Sequence, residues 1–326
     1  MIDAGETPDG RIIKAVTLDN GTLHASVVTF GASVRDLRLA GVDRPLILGL
    51  DDPQAYPEGF PYLGAIVGRV ANRIAHGQAE IAGEMHRFDR NEGGKRTLHG
   101  GADGSGRRLW TLVEAGPAHV ILADRLADGH MGFPGALDVQ VRYALVDASL
   151  EVEITATTDA PTLCNFAPHM FFNLSGAATT DDHLLFVDAD RYQAVDEGQT
   201  PDRPPQDVSG TPFDLRGGAM PPEGIDHNFC LSEERRGAPH PAAILRSGDV
   251  EMRLETTEPG LQVYDGGGLR VSAGTGLDGR GYGPRAGVAL EPQAWVDAAN
   301  QGMRAQVDLF PGATYRQFSR FAFAQV

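Results

Sequence analysis

Cysteine is scarce: Cys164 and Cys230 are the two thiols in 326 residues. Two thiols cannot build the framework of a disulfide-stapled secreted module. No His/Cys cluster sits at metal-ligand spacing, so no metal site is expected. No apolar run approaches the ~18 residues of a membrane span. The opening residues, M-I-D-A-G-E-T-P-D-G, lack the basic-then-apolar pattern of a secretory signal. These absences predict a reducing, cytoplasmic setting and no membrane partner. Positive charge is short as well. There are 28 Lys and Arg against 44 Asp and Glu, a formal net charge of −16. Such a chain repels phosphate backbones, so nucleic acid is not an expected partner.

Turn chemistry is abundant instead. The chain carries 41 Gly and 21 Pro, together 62 of 326 residues, too many for a helical protein and too few for disorder. Nowhere does an apolar period of 3.6 persist. Short β-prone runs recur at Arg11–Leu18 and Leu23–Phe30, and Asn20-Gly21 between them is a hairpin signal. Ala32–Leu39 and Leu46–Leu50 continue the pattern, and residues 79–88 read as another hairpin. Leu150–Thr158 alternates most regularly, with Leu150, Val152, Ile154 and Ala156 on one face and Glu151, Glu153, Thr155 and Thr157 on the other. That is a half-buried antiparallel strand. His119–Leu126, Ala136–Leu145, Val250–Thr256, Leu261–Tyr264 and Thr314–Phe323 read similarly. The polar stretches Gln199–Gly210 and Arg235–Pro241 are predicted as surface loops rather than domain linkers. The pattern predicts an all-β fold, a large antiparallel β-sandwich, with residues 1–326 as a single domain.

Several stretches have chemistry beyond the fold. Pro161 to Leu174, P-T-L-C-N-F-A-P-H-M-F-F-N-L, is mostly apolar and holds one ionisable group, His169. Alone it reads as a strand edge with a hydrogen-bonded core histidine. Gly64 to Ile74 reads G-A-I-V-G-R-V-A-N-R-I. Arg69 and Arg73 read as surface cations, or Asn72 and Arg73 together present a donor fork, since guanidinium donates several hydrogen bonds and stays charged. Thr97 to Gly101, T-L-H-G-G, is either a turn or a site histidine, and Asp226 in G-I-D-H-N-F is either a turn cap or an acceptor. In V-A-L-E-P-Q, Glu291 follows an apolar strand directly, where a carboxylate is costly unless partnered or functional. Residues 274–279, G-T-G-L-D-G, match a dinucleotide fingerprint, but R-G-Y-G-P follows and cannot start the helix that a pyrophosphate needs.

Taken together and in order, these motifs resemble the aldose 1-epimerase (galactose mutarotase) family. The elements are P-T-x-x-N-x-x-x-H-x-[YF]-F-N-L, G-R-x-x-N-R-I, L-H-G-G, G-x-D-H-x-[FY] and L-E-x-Q, with D-A-x-N after it at Asp297 and Asn300. The resemblance spans nearly the whole chain and implies a single β-supersandwich. It implies an isomerase that interconverts the α and β anomers of a free sugar by acid–base ring opening. Glu291 is then the base and His169 the acid. Asn72, Arg73, His99, Asp226, Gln262 and Phe171 would bind substrate, and no cofactor or metal is required. A carboxylate beside His169 is expected to raise its proton affinity and keep it charged. The expected partner is a small-molecule sugar, with the chain a monomer or homodimer. A hexose-6-phosphate 1-epimerase and a catalytically silent sugar-binding β-sandwich are the alternatives. The chain departs from the family at Met170-Phe171, where Ser-Tyr is common, at Pro168, where Asn is common, and at Asp265-Gly266-Gly267, where Thr-Gly-Asn is usual. A Phe at 171 keeps the ring and deletes a hydroxyl, which predicts either relaxed or shifted sugar specificity or a residue that only packs. Cys164 and Cys230 are expected to be small buried hydrophobes.

Overall fold

The computed structural model describes residues 1–58 and 62–326. Three antiparallel sheets dominate. A four-stranded sheet runs in chain order through Ile2–Glu6, Ile12–Asp19, Leu23–Val28 and Ser33–Leu39. An eight-stranded sheet orders Thr111–Ala115, His119–Leu126, Leu137–Val146, Ser149–Thr158, Tyr315–Gln325, Val250–Thr256, His240–Ser247 and Leu184–Val187. A six-stranded sheet orders Phe171–Phe172, Val288–Gln293, Gly260–Tyr264, Asp226–Cys230, Arg191–Tyr192 and Gln206–Asp207. The helices among the described residues are short 3-10 turns. None of them is long and apolar enough to cross a membrane.

Period-two alternation explains the layering. Leu150, Val152, Ile154 and Ala156 are buried, while Glu151, Glu153, Thr155 and Thr157 face outward. In the six-stranded sheet, Leu261, Val263, Val288, Leu290 and Phe229 join the same core cluster as Val152, Val139 and Leu18. The opposite face of those strands carries Asp226, Gln262 and Glu291. One sheet therefore has a dry apolar face and a face that presents polar groups.

Three expectations need correction. Leu46–Leu50 is no strand: Ile47 and Leu50 each make a single bridge, to Phe172 and Gly276. Pro161 to Leu174 is not one strand edge but three two-residue pairings. Thr162–Leu163 pairs with Asp308–Leu309, Ala167–Pro168 with Ile66–Val67, and Phe171–Phe172 with Val288–Ala289. The segment changes partner every few residues, and Pro168 offers no N–H to extend a ladder. Arg235 also differs from a surface-loop residue, since its guanidinium pairs with the fully buried Glu258.

Candidate active site

Asn165 ties the site's segments together. Its backbone N–H donates to Arg69 O at 2.7 Å, its carbonyl accepts from Ala71 N at 2.7 Å, and its side-chain oxygen accepts from Ala294 N at 2.9 Å. This joins the stretch bearing His169, the stretch bearing Asn72-Arg73 and the end of the strand bearing Glu291. Gly68 allows the approach, because a Cβ there would lie 2.3 Å from the Phe166 ring. Arg69 is no surface cation. It is buried, and its guanidinium donates to the carbonyls of Pro134 and Gly135 at 3.0 and 2.8 Å.

Asn72 and His99 clamp each other. The His99 N–H donates to Asn72 O at 2.9 Å, and the Asn72 N–H donates to His99 Nδ1 at 3.1 Å. Both residues sit at positive φ, 60° and 50°, a conformation costing about 1–3 kcal/mol at a non-glycine residue and concentrated at functional sites. The clamp sets the tautomer of His99: Nδ1 accepts, so Nε2 carries the proton.

Arg73 grips Glu92 through Nε and Nη2, both at 3.0 Å, and Nη1 approaches Asp226 at 3.5 Å. Gln262 donates to Asp226 Oδ1 at 2.5 Å from the neighbouring strand. His169 Nε2 lies 3.6 Å from Glu291 Oε1, with both side chains almost fully buried. The His169 ring is flanked by Phe171 at 5.0 Å, His99 at 5.4 Å and Tyr62 at 6.2 Å between centroids. Together with Tyr264 these groups enclose a cavity of about 230 Å³. That is below the ~300–1,000 Å³ of drug-sized pockets and scaled to one small polar ligand.

Of the residues singled out in the sequence, Asn72, Arg73, His99, His169, Phe171, Asp226 and Glu291 line this cavity. Gln262 stands behind Asp226 rather than on the wall. Asp297 and Asn300 fall elsewhere, in a cavity of about 460 Å³ with His76, Lys95 and Arg96. Sequence reasoning missed Tyr62, Tyr264 and Glu92. Tyr264 was visible beside Gln262 in L-Q-V-Y, whereas nothing local marks Tyr62 or Glu92. Cys164 and Cys230 are buried, and burial pushes both thiols up to about 12, which makes them inert nucleophiles.

The electrostatics correct one expectation. Burial pulls His169 down to about 4. Burial pushes Glu291 well above the carboxylate range, Asp226 adds to that rise, and Arg73 opposes it. Burial also takes His99 far below its ordinary value, helped by His169 and Arg73. Desolvation outweighs the attraction that was expected to charge His169. Both shifts run toward the uncharged forms, the carboxylic acid for Glu291 and the neutral imidazole for His169.

His99, His169 and Glu291 bring potential ligand atoms within 4.8 Å of one another. They do not fit a zinc-type ion. The clamp leaves His99 presenting an N–H rather than a lone pair, so two ligands remain where three protein ligands are needed.

The family profile described as Aldose 1-epimerase matches residues 14–322. A galactose mutarotase from Bos taurus is 35% identical over 342 residues, covering 98% of this chain and 97% of that one. An aldose 1-epimerase from Escherichia coli (strain K12) is 32% identical, covering 97% of this chain and 96% of that one. The crystal structure of a galactose 1-epimerase from Lactobacillus acidophilus superposes with a TM-score of 0.86 at 28% identity, covering 99% of this chain and 98% of that one. An aldose epimerase homologue from C. elegans gives 0.89 at 28% identity, covering 96% and 99%. The chain belongs to the aldose 1-epimerase family, and the all-β supersandwich of its relatives is its fold. It is an isomerase of that family.

Proposed function

We propose that the chain interconverts the α and β anomers of a free aldose, with Glu291 as the base and His169 as the acid. The observation that carries this is the buried His169–Glu291 pair, 3.6 Å apart on the wall of a cavity scaled to one sugar. Glu291 takes the proton of the C1 hydroxyl. The C1–O5 electron pair leaves with O5 as C1=O forms, and His169 protonates O5. Rotation about C1–C2 turns the other aldehyde face toward O5, and the two groups run in reverse.

The directions of these shifts bear on the reaction. Glu291 protonated and His169 neutral is the state that ring opening produces. A C1 hydroxyl that donates to the carboxylate favours the arrangement from which opening starts, Glu291 ionised and His169 charged. Each positioned proton transfer contributes ~10²–10⁴-fold, enough for a reaction that already proceeds in water. Asn72, Arg73 and Asp226 form the polar wall for ring hydroxyls, Gln262 holds Asp226 from behind, His99 adds a neutral N–H donor, and Phe171 packs against the sugar's apolar face.

The charge pattern favours a free sugar over a sugar phosphate. Among the described residues Arg73 is the cation on the cavity wall, and it is already paired with Asp226 and with Glu92, which Arg96 shares. A silent binding module would have no use for a desolvated acid–base pair, whose burial lowers stability. The reading takes residues 1–326 as one domain, supported by a core cluster running from Val16 to Phe323. It takes the setting as cytoplasmic, supported by two free, buried thiols. Polarimetry or saturation-transfer NMR on glucose, galactose, arabinose and xylose tests the activity. Equal rates with and without protein for all four would sink it.

A further inference from the structure

The sheet behind Glu291 is polar where a sheet interior is ordinarily apolar. Asp226–Cys230, Gly260–Tyr264 and Val288–Gln293 are adjacent strands. Their register sets Asn228 beside Gln262 and Gln262 beside Glu291, with Gly260 beside Gln293. Side chains alternate across a sheet, so Asn228, Gln262, Glu291 and Gln293 share one face. All four are at most 2% exposed. Six of their polar atoms have no hydrogen-bond partner in the protein: both amide atoms of Asn228, both of Gln293, Gln262 Oε1 and Glu291 Oε2. Gln262 Nε2 is engaged with Asp226. Gly260 makes room for the amides, since a Cβ there would lie 2.5 Å from Asn228 Oδ1.

One unpaired buried polar atom costs about 1–3 kcal/mol. Six on neighbouring positions would consume much of a domain's ~5–15 kcal/mol stability. Proteins satisfy such groups with internal water, each molecule making about three hydrogen bonds. The titratable and charged groups around Glu291 are His169, His99, Arg73, Asp226, Tyr62 and Tyr264, and none of them meets Oε2.

We propose that Asn228, Gln262 and Gln293 hold a cluster of internal water that hydrogen-bonds Glu291 Oε2, which makes Asn228 and Gln293 positioning residues for the base. The proposal deepens the reading of Glu291 as the base and rests on it. Hydrogen bonds donated to the ionised carboxylate lower its proton affinity. The cluster thus opposes the drying of Glu291 and keeps it able to lose its proton when sugar arrives. Arg73 alone does not suffice, because Glu92 and Asp226 share its charge.

Two measurements on the full chain test this. A high-resolution crystal structure is expected to show water within about 3.2 Å of Glu291 Oε2 and bonded onward to Asn228 or Gln293. Carboxyl ¹³C NMR titration is expected to place Glu291 at least about one unit higher in Gln293→Met and Asn228→Leu than in wild type. That is a tenfold smaller ionised fraction below the midpoint. In the same variants kcat should fall about tenfold on the acid limb, with KM nearly unmoved. Gly260→Ala, which displaces the Asn228 amide without removing it, should shift the titration in the same direction should either larger change unfold the chain. An Oε2 contacted by protein atoms alone, or an unmoved Glu291 titration in a variant that melts like wild type, overturns the proposal. Full anomerisation by Glu291→Gln, with water and titration shift both present, would leave the cluster standing and remove the base reading instead.

Discussion

Two buried carboxylates in this protein are treated in opposite ways. Glu258 is fully buried and fully engaged: Arg235 reaches its oxygens at 2.8 and 3.1 Å, and Thr257 donates at 3.3 Å. The Arg235 guanidinium also stacks on Tyr315 at 4.5 Å. Glu291 is equally deep, yet it faces the His169 imidazole only at 3.6 Å and Oε2 meets no protein donor. A satisfied charge holds a structure together. An unsatisfied one stores proton affinity that a ligand can change. The contrast separates the two roles where burial alone does not.

The largest effect should come from the unsatisfied member. Glu291→Gln keeps the shape and removes the proton acceptor, so anomerisation should fall by at least ~10²-fold while sugar binding survives. Calorimetric titration alongside a polarimetric assay reads both, and near wild-type turnover would remove Glu291 from the mechanism.

Breaking the satisfied member should do the reverse. Glu258→Gln leaves Arg235 half-buried without its counter-charge, at a cost of about 3–5 kcal/mol. Denaturant melts should show that loss, with turnover per folded molecule unchanged. A large drop in turnover without loss of stability would erase the distinction drawn between the two carboxylates.

The pH dependence sharpens it further. His169 is lowered in the fold to about 4 from 6.5, so between those values the unfolded chain binds more protons. Stability from this group is therefore complete above about 6.5 and is lost as pH falls through 4, on the order of 3 kcal/mol. Glu291 is raised and has the opposite sign, since its ionisation disfavours the fold as pH climbs above the unfolded carboxylate value. His169→Asn should flatten the acid side of a Tm-against-pH curve, and Glu291→Gln should lift the neutral side. An Asn variant with the same acid slope as wild type would contradict the neutral His169. Turnover in wild type should show two limbs belonging to the coupled pair.

The smallest effect concerns specificity. Phe171 is fully buried and meets Tyr264 edge-on at 5.9 Å. Phe171→Tyr adds a hydroxyl worth roughly 0.5–1.5 kcal/mol if a sugar engages it, about 2- to 12-fold in kcat/KM. Rates on galactose, glucose, arabinose and xylose should separate in the variant and lie closer together in wild type. A strong galactose preference in wild type, unchanged by the substitution, would count against relaxed specificity.

Much of this was legible in the residues. Alternation at Leu150–Thr158 and the Asn20-Gly21 turn specified antiparallel strands because a period of two and an αL-tolerant dipeptide act locally. Leu46–Leu50 misled, since a short apolar run looks alike whether it ladders or only fills a core. The site residues stood out through motif resemblance, yet Tyr62 and Glu92 did not, because their contacts with His99 and Arg73 join segments 37 and 19 residues apart.

The residue types and their order along the chain determined the all-β class, the hairpins and which side chains could carry an acid–base reaction. Tertiary structure alone decided which carboxylate is satisfied, in which direction burial shifts the His169–Glu291 pair, and that His99 presents an N–H. Those properties depend on desolvation and on hydrogen bonds between segments far apart in the chain. Asn72 meets His99 across 27 residues and Arg73 meets Asp226 across 153, and no local pattern encodes such distances.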